Sequence, residues 1–158
     1  MKKLFAIVLT ACLALAAFSA CGSKNSDQPN FDGNLEDYVT ALYDGIGQEN
    51  MPMTMNTPIT AENAEMFLGT ADVTFKDGVA SDAMISAIAH SVCLLRTEDA
   101  DQAAELAKVV EENANPRKWV CVEAEKTVVK QRGNLVLLVM TDTANADAIV
   151  ANFDKLEA

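Results

Sequence analysis

The chain has 158 residues with 23 acidic and 12 basic side chains, a formal net charge of −11. A surface this acidic is repelled by phosphate backbones, which argues against nucleic acid as a partner. Its single histidine and the lack of any Cys-x-x-Cys pair leave no zinc ligand set in the sequence.

In chain order, Lys2 and Lys3 precede an apolar run from Leu4 to Ala17. This is the layout of a secretory signal, and the run is shorter than the roughly 20 apolar residues of a membrane span. Small residues then lead into a cysteine, Phe18-Ser19-Ala20-Cys21-Gly22. The stretch resembles the bacterial lipobox, with Phe18 where leucine is usual. In such signals the cysteine thiol takes a diacylglycerol and a peptidase cuts before it. The resemblance implies a lipoprotein signal peptide over residues 1–20, lipidation at Cys21, and the membrane as a partner through that residue. Leu9-Thr10-Ala11-Cys12 fits the same pattern, but cutting there would leave a short apolar region and expose a second one. Each buried CH₂ of an acyl chain contributes about 0.8 kcal/mol, so two or three chains make a stable anchor.

Residues 21–33 continue as "CGSKNSDQPNFDG", polar and small, which predicts a flexible linker. The signal carries Lys2 and Lys3 and no acid, so the processed chain stands near −13. Residues 34–158 are then expected to form a single domain.

Asn34 reads as an N-cap, and Leu35, Tyr38, Val39, Leu42, Tyr43 and Ile46 follow at helical spacing, with Gly45 and Gly47 ending the helix. "ENMPMTMNTP" reads as a loop or an edge. Thr60 is expected to cap a short helix, "AENAEMFL", closed by Gly69. "ADVTF" and "MISAIAHSVCLLR" read as strands joined by a turn at "KDG". Thr97 with Glu98 and Asp99 opens an alanine-rich helix that Asn115-Pro116 stops, the acids favouring its positive end. "KTVVK", the turn "QRGN" and "LVLLVM" predict a hairpin. A last helix opens at Thr141 or Asn145, with Ile149, Phe153 and Leu156 on one side. Residues 71–112 and 125–156 thus read as two β-β-α units after two N-terminal helices. The expected fold is α+β, an antiparallel sheet with helices on one face.

Met51, Met53 and Met55 alternate, so an extended chain puts three thioethers on one side. Thioethers suit Cu(I), but no His or Cys lies nearby, and methionine more often fills core gaps and binding surfaces. With the single Trp119, these residues form a candidate contact surface. His90 and Cys93 lie three apart on a predicted strand and so face opposite sides, a poor nucleophile–base pair. Cys93 and Cys121 sit in apolar contexts and read as buried thiols, with a disulfide as the alternative in an exported protein. Glu98-Asp99-Asp101 and Asp142-Asn145-Asp147 lack the spacing of a calcium loop and read as helix caps. No Gly-rich phosphate loop and no G-x-S-x-G appears. The residues imply no catalytic set, no metal and no cofactor.

Met51-Pro52-Met53, "LLRTEDADQAAEL", "NPRKW" from Asn115 to Trp119, and "GNLVLLVMTDTANADAIVANF" from Gly133 to Phe153 resemble a lipoprotein family of Gram-positive, largely anaerobic gut bacteria, grouped as a domain of unknown function. The resemblance spans most of residues 50–155. It implies a lipid-anchored location outside the cytoplasmic membrane and carries no activity with it. The expected role is a non-enzymatic binding or accessory protein of the envelope, recognising a protein or a small ligand. An envelope enzyme with a dispersed site and a small solute-binding lipoprotein are the alternatives.

Overall fold

The structure, a computed structural model, describes residues 28–158. The signal peptide, Cys12, Cys21 and the first part of the expected linker lie outside the described residues.

The two most apolar segments form the centre of the molecule. β3 (Ser91–Arg96) and β5 (Leu135–Thr141) are buried at every position. They pair antiparallel, Cys93 opposite Leu138 and Leu94 opposite Leu137. β2 (Asp77–Ala83) flanks β3, and β4 (Lys126–Arg132) flanks β5. β1 (Thr54–Pro58) adds to β2, giving a five-stranded antiparallel sheet in the order β1-β2-β3-β5-β4. The fold is α+β with two β-β-α units, as expected. One is β2-β3 followed by α3 (Ala100–Asn113), the other β4-β5 followed by α4 (Thr143–Phe153). Since β3 and β4 both run antiparallel to β5, they run parallel to each other, and β3-α3-β4 is a split β-α-β crossover.

The helices cover both faces of the sheet, where the sequence reading expected one. α1 (Leu35–Leu42) and α4 pack on Val79, Val92, Leu94, Leu137 and Val139. α2 (Ala64–Leu68) and α3 pack on Ala80, Cys93, Leu95, Val136 and Leu138, the alternate residues of the same strands. The physical reason is visible in "LVLLVM": a strand apolar at successive positions needs cover on both sides, whereas a one-sided sheet alternates.

The caps explain where the helices start. Asn34 Oδ1 accepts from the Glu36 amide at 2.9 Å, Asp99 Oδ1 from Gln102 at 2.8 Å, and Asp142 Oδ1 from Asn145 at 2.9 Å. Asp99 and Asp142, both in the acidic sets read as helix caps, hold these positions, and Thr97, Thr141 and Asn145, also expected to open the helices, do not cap. Thr60 does not cap α2 either: its amide donates to Asn63 Oδ1 at 2.7 Å in a turn, and the helix starts at Ala64. Gly69 ends α2 at φ +82, as the sequence suggested.

Four further expectations are corrected. "ADVTF" is not a strand, and "KDG" is not a turn: Asp77 and Gly78 lie in β2, paired with Arg96 and Leu95. Gly78 is tolerated there because a side chain would run into Leu95 and Ile59. The β2–β3 connection is instead residues 84–90, read from sequence as strand. Finally, the linker does not extend to residue 33. Phe31 is fully buried in the α1/α4 core, edge-on to Tyr38 at 5.6 Å. Asn134 Oδ1 accepts the Phe31 amide at 2.8 Å, and Arg96 Nη1 donates to the Phe31 and Gly33 carbonyls at 3.2 and 2.6 Å. The domain therefore includes residues 29–33, clamped at the end of the sheet that carries the β4–β5 turn. We call this the hairpin end. The opposite end, with the β2–β3 loop, is the loop end.

Candidate functional site

Polar side chains concentrate at the loop end, in two sets on opposite faces of the sheet. On the α1/α4 face, His90 immediately precedes β3 and has no solvent-accessible surface. Its Nδ1 is 2.8 Å from Thr141 Oγ1, and its Nε2 is 3.1 Å from Tyr43 Oη, just beyond α1. Thr141 Oγ1 lies 3.3 Å from Asp142 Oδ2, which also accepts from Asn145 Nδ2 at 2.6 Å. Asn145 Nδ2 donates as well to the Asn50 carbonyl at 2.8 Å. Ser81 lies next to the Tyr43 phenol, and its buried Oγ has no hydrogen-bond partner among the described residues.

The electrostatics fix the direction of this chain. Burial raises the Asp142 carboxyl, but hydrogen bonds from the Asn145 backbone and side chain and from Thr141 outweigh it, so the group is held below its ordinary value. An ionised Asp142 only accepts, so the Thr141 hydroxyl donates to it and accepts from His90 Nδ1–H. Nε2 is then the acceptor for the Tyr43 hydroxyl. His90 is neutral: burial lowers it to about 4, against smaller raising effects of Asp82 and Asp142. Burial likewise pushes the Tyr43 phenol well above its ordinary value. His90 and Thr141 are closed to solvent, Tyr43 and Asp142 are half-buried, and burial keeps the imidazole and the phenol neutral, which suits a polar strut better than acid–base catalysis.

On the α2/α3 face, Lys118 reaches in from the α3–β4 connection. Its Nζ donates to Asp82 Oδ2 at 3.1 Å and to Ser91 Oγ at 2.9 Å. It also stands over the Phe67 and Trp119 rings at 5.3 and 5.2 Å. Ser91 Oγ is 3.7 Å from Cys93 Sγ. Burial pushes the Cys93 thiol up to about 12, so it is not a thiolate nucleophile. Cys121 is free and exposed, where a buried thiol was expected.

The candidate contact residues fall on this same face. Met55 lies opposite Asp82 in the β1–β2 ladder, and the Met84 amide donates to the Met53 carbonyl at 2.9 Å. Met53, Met55 and Met84 are 77, 58 and 59 % exposed, and Ile85 and Ile88 of the β2–β3 loop that follows Met84 are exposed as well. Met51 is half-buried. Trp119 is half-buried against the α2/α3 core, with the Lys118–Asp82 pair between it and Met55. The structure thus brings Trp119 and Met55 to one sheet face. Reading residues 84–90 as strand hid Met84, Ile85 and Ile88, since "MISAIA" carries no Gly, Pro, Asn or Asp. Tyr43, Ser81, Asp82 and Lys118 gave no local signal.

Three open depressions of about 460, 300 and 460 Å³ flank these elements. One lies between residues 45–50 and the start of α4, one beside Lys118 and Asn115, and one between residues 72–74 and α3. Among the described residues, no three His, Cys, Asp or Glu side chains converge to hold a metal ion, and no helix is long and apolar enough to cross a membrane. No family model, curated protein or solved structure matches this chain.

Proposed function

We propose that this chain is a lipid-anchored protein of the cell envelope, held through Cys21 on the outer side of the cytoplasmic membrane, and that it acts as a non-enzymatic binding or accessory protein. The observation that carries the reading is the opposition of two ends. Phe31 fastens the start of the domain to the hairpin end, while Met53, Met55, Met84, Ile85 and Ile88 are exposed at and near the loop end. Seven residues separate Cys21 from Pro29, a reach of roughly 28 Å at full extension. A bilayer anchor at Cys21 then keeps the hairpin end within that reach of the membrane and leaves the loop end, roughly 20 Å away along β3, free to face outward. Contiguous exposed apolar surface rimmed by polar groups is the signature of a contact site.

The test is the intact mass of the protein extracted from native membranes, beside a Cys21→Ala variant. The expected result is loss of residues 1–20 and gain of acyl chains, both absent in the variant. An unlipidated, soluble protein in the medium would overturn the anchor and make the chain a secreted factor.

An envelope enzyme with a dispersed site is the second reading, and the Tyr43–His90–Thr141–Asp142 chain is the observation in its favour. Against it, His90 and Ser81 expose no surface to a substrate. A small solute-binding role has less support, because the depressions are open and none is enclosed by convergent polar groups.

A further inference from the structure

We infer that the free edge of β1 is a docking strand for an extended, cationic segment of a partner protein, an inference that rests on the binding role proposed above. Among the described residues, β1 is the terminal strand of the sheet on its side. Its inward hydrogen bonds use the odd positions: the Ile59 amide donates to Gly78, and the Met53 carbonyl accepts from Met84. In an antiparallel ladder the alternate residues then turn both N–H and C=O outward. These are Thr54 and Asn56, two residues able to exchange four hydrogen bonds with an added strand. Pro58, next in the series, has no N–H, and its carbonyl is taken by Asn63 Nδ2 at 3.0 Å, so the docking length ends there.

Natural sheets guard such edges with lysine, inward charges or a covering element. β1 has the sequence TMNTP and carries no charge. The chain around it in sequence is acidic: residues 28–75 hold eight Asp and Glu and no Lys or Arg. Glu49, Glu62 and Glu65, all exposed, flank the strand on both sides in sequence. The cation on the neighbouring face, Lys118, is paired with Asp82. Charge complementarity therefore selects a basic segment and opposes a second copy of this acidic chain or an anionic lipid surface. Met53 and Met55 beside the edge offer flexible thioethers to the apolar side chains of such a segment. The recognition mode is strand addition, main-chain bonds giving affinity and alternate side chains giving selectivity.

The test uses the full-length chain in a nonionic detergent and a fluorescein-labelled peptide of four Lys-Val repeats, read by fluorescence anisotropy. Saturable binding is expected, at least tenfold tighter than to four Glu-Val repeats and weakened severalfold between about 50 and 500 mM salt. N-methylation at alternate peptide residues should cost at least tenfold. So should Asn56→Pro, which deletes an outward N–H and no bond to β2. Glu49→Gln, Glu62→Gln and Glu65→Gln combined should remove most of the salt dependence while the strand stays intact. Equal binding of the N-methylated peptide would overturn the proposal as mere charge adhesion. So would no saturable binding, or self-association of the chain lost in Asn56→Pro while the peptide is ignored. Lipidation at Cys21 is read separately by mass, so failure here and failure of the anchor are distinguishable.

Discussion

His90, immediately before β3, and Thr141, the last residue of β5, meet with Nδ1 and Oγ1 2.8 Å apart in a site closed to solvent. The contact ties the loop ends of the two central strands together, and Tyr43 ties α1 to the same imidazole. Burial at this junction holds the histidine uncharged, so it makes stability depend on pH.

The sign follows from linkage. His90 stands at about 4 in the folded protein against 6.5 unfolded, so between those values the unfolded chain binds more protons. Its contribution is complete above about pH 6.5 and is lost as pH falls toward 4, a loss of about 3 kcal/mol. Urea unfolding at pH 7 and pH 4.5 should show this fall. A His90→Gln variant, less stable at pH 7, should lose markedly less over the same interval. Parallel slopes in the two proteins would exclude His90 as the source.

Phe31 and Asn134 make a second prediction, about the start of the domain. Phe31→Ala should cost about 3–5 kcal/mol, the usual range for emptying a buried phenylalanine site. Asn134→Ala strips the Phe31 amide of its acceptor and should cost about 1–3 kcal/mol. Gly133, at φ +58 in the β4–β5 turn, should not accept alanine without loss, because a Cβ there overlaps the Pro29 carbonyl. Urea titration of the three variants measures all of this. Unchanged stability in Phe31→Ala would return residues 29–33 to the linker.

The elements legible in the sequence are those whose signals are local. Asn34 before a run at helical spacing, the aspartates ahead of α3 and α4, and "QRGN" between apolar runs each identify themselves within a few residues. Gly78 reads as a turn residue by propensity, and only its packing under Leu95 and Ile59 shows why it lies in a strand. Phe31 sits in a polar stretch, and its burial depends on Asn134, 103 positions away. The candidate site divides in the same way. Alternating methionines are visible in "MPMTM", and the structure exposes two of the three. The Tyr43–His90 and His90–Thr141 contacts span 47 and 51 residues, and no periodicity encodes such pairs.

Lys118 provides a test that the chain reports on itself, because Trp119 is its only tryptophan. Lys118→Ala removes the donor shared by Asp82 and Ser91 and the cation above the indole. The α3–β4 connection should loosen from the sheet, with a stability loss of about 1–3 kcal/mol. Trp119 emission should shift to the red and become easier to quench with acrylamide. Lys118→Met keeps the stem against Phe67 and Trp119, so it should retain more of the blue emission while still losing stability. An unshifted spectrum in Lys118→Ala would mean that the loop is held by other contacts.

The two domain cysteines should differ sharply in reactivity. Cys121 is exposed on the α3–β4 connection, and Cys93 is fully buried between Leu138 and Ala80 with its thiol pushed up to about 12. Alkylation requires an accessible thiolate, and Cys93 lacks both access and ionisation. Maleimide labelling of the folded protein at pH 7, mapped by peptide mass, should mark Cys121 within minutes and leave Cys93 untouched until urea is added. Cys93→Ser should destabilise the protein, since it buries a hydroxyl among Leu138, Ala80 and Ser91. Cys121→Ser should be within about 0.5 kcal/mol of the parent, as expected at an exposed position. Labelling of Cys93 at the same rate as Cys121 would show that β3 opens locally far more often than its burial in the centre of the sheet implies.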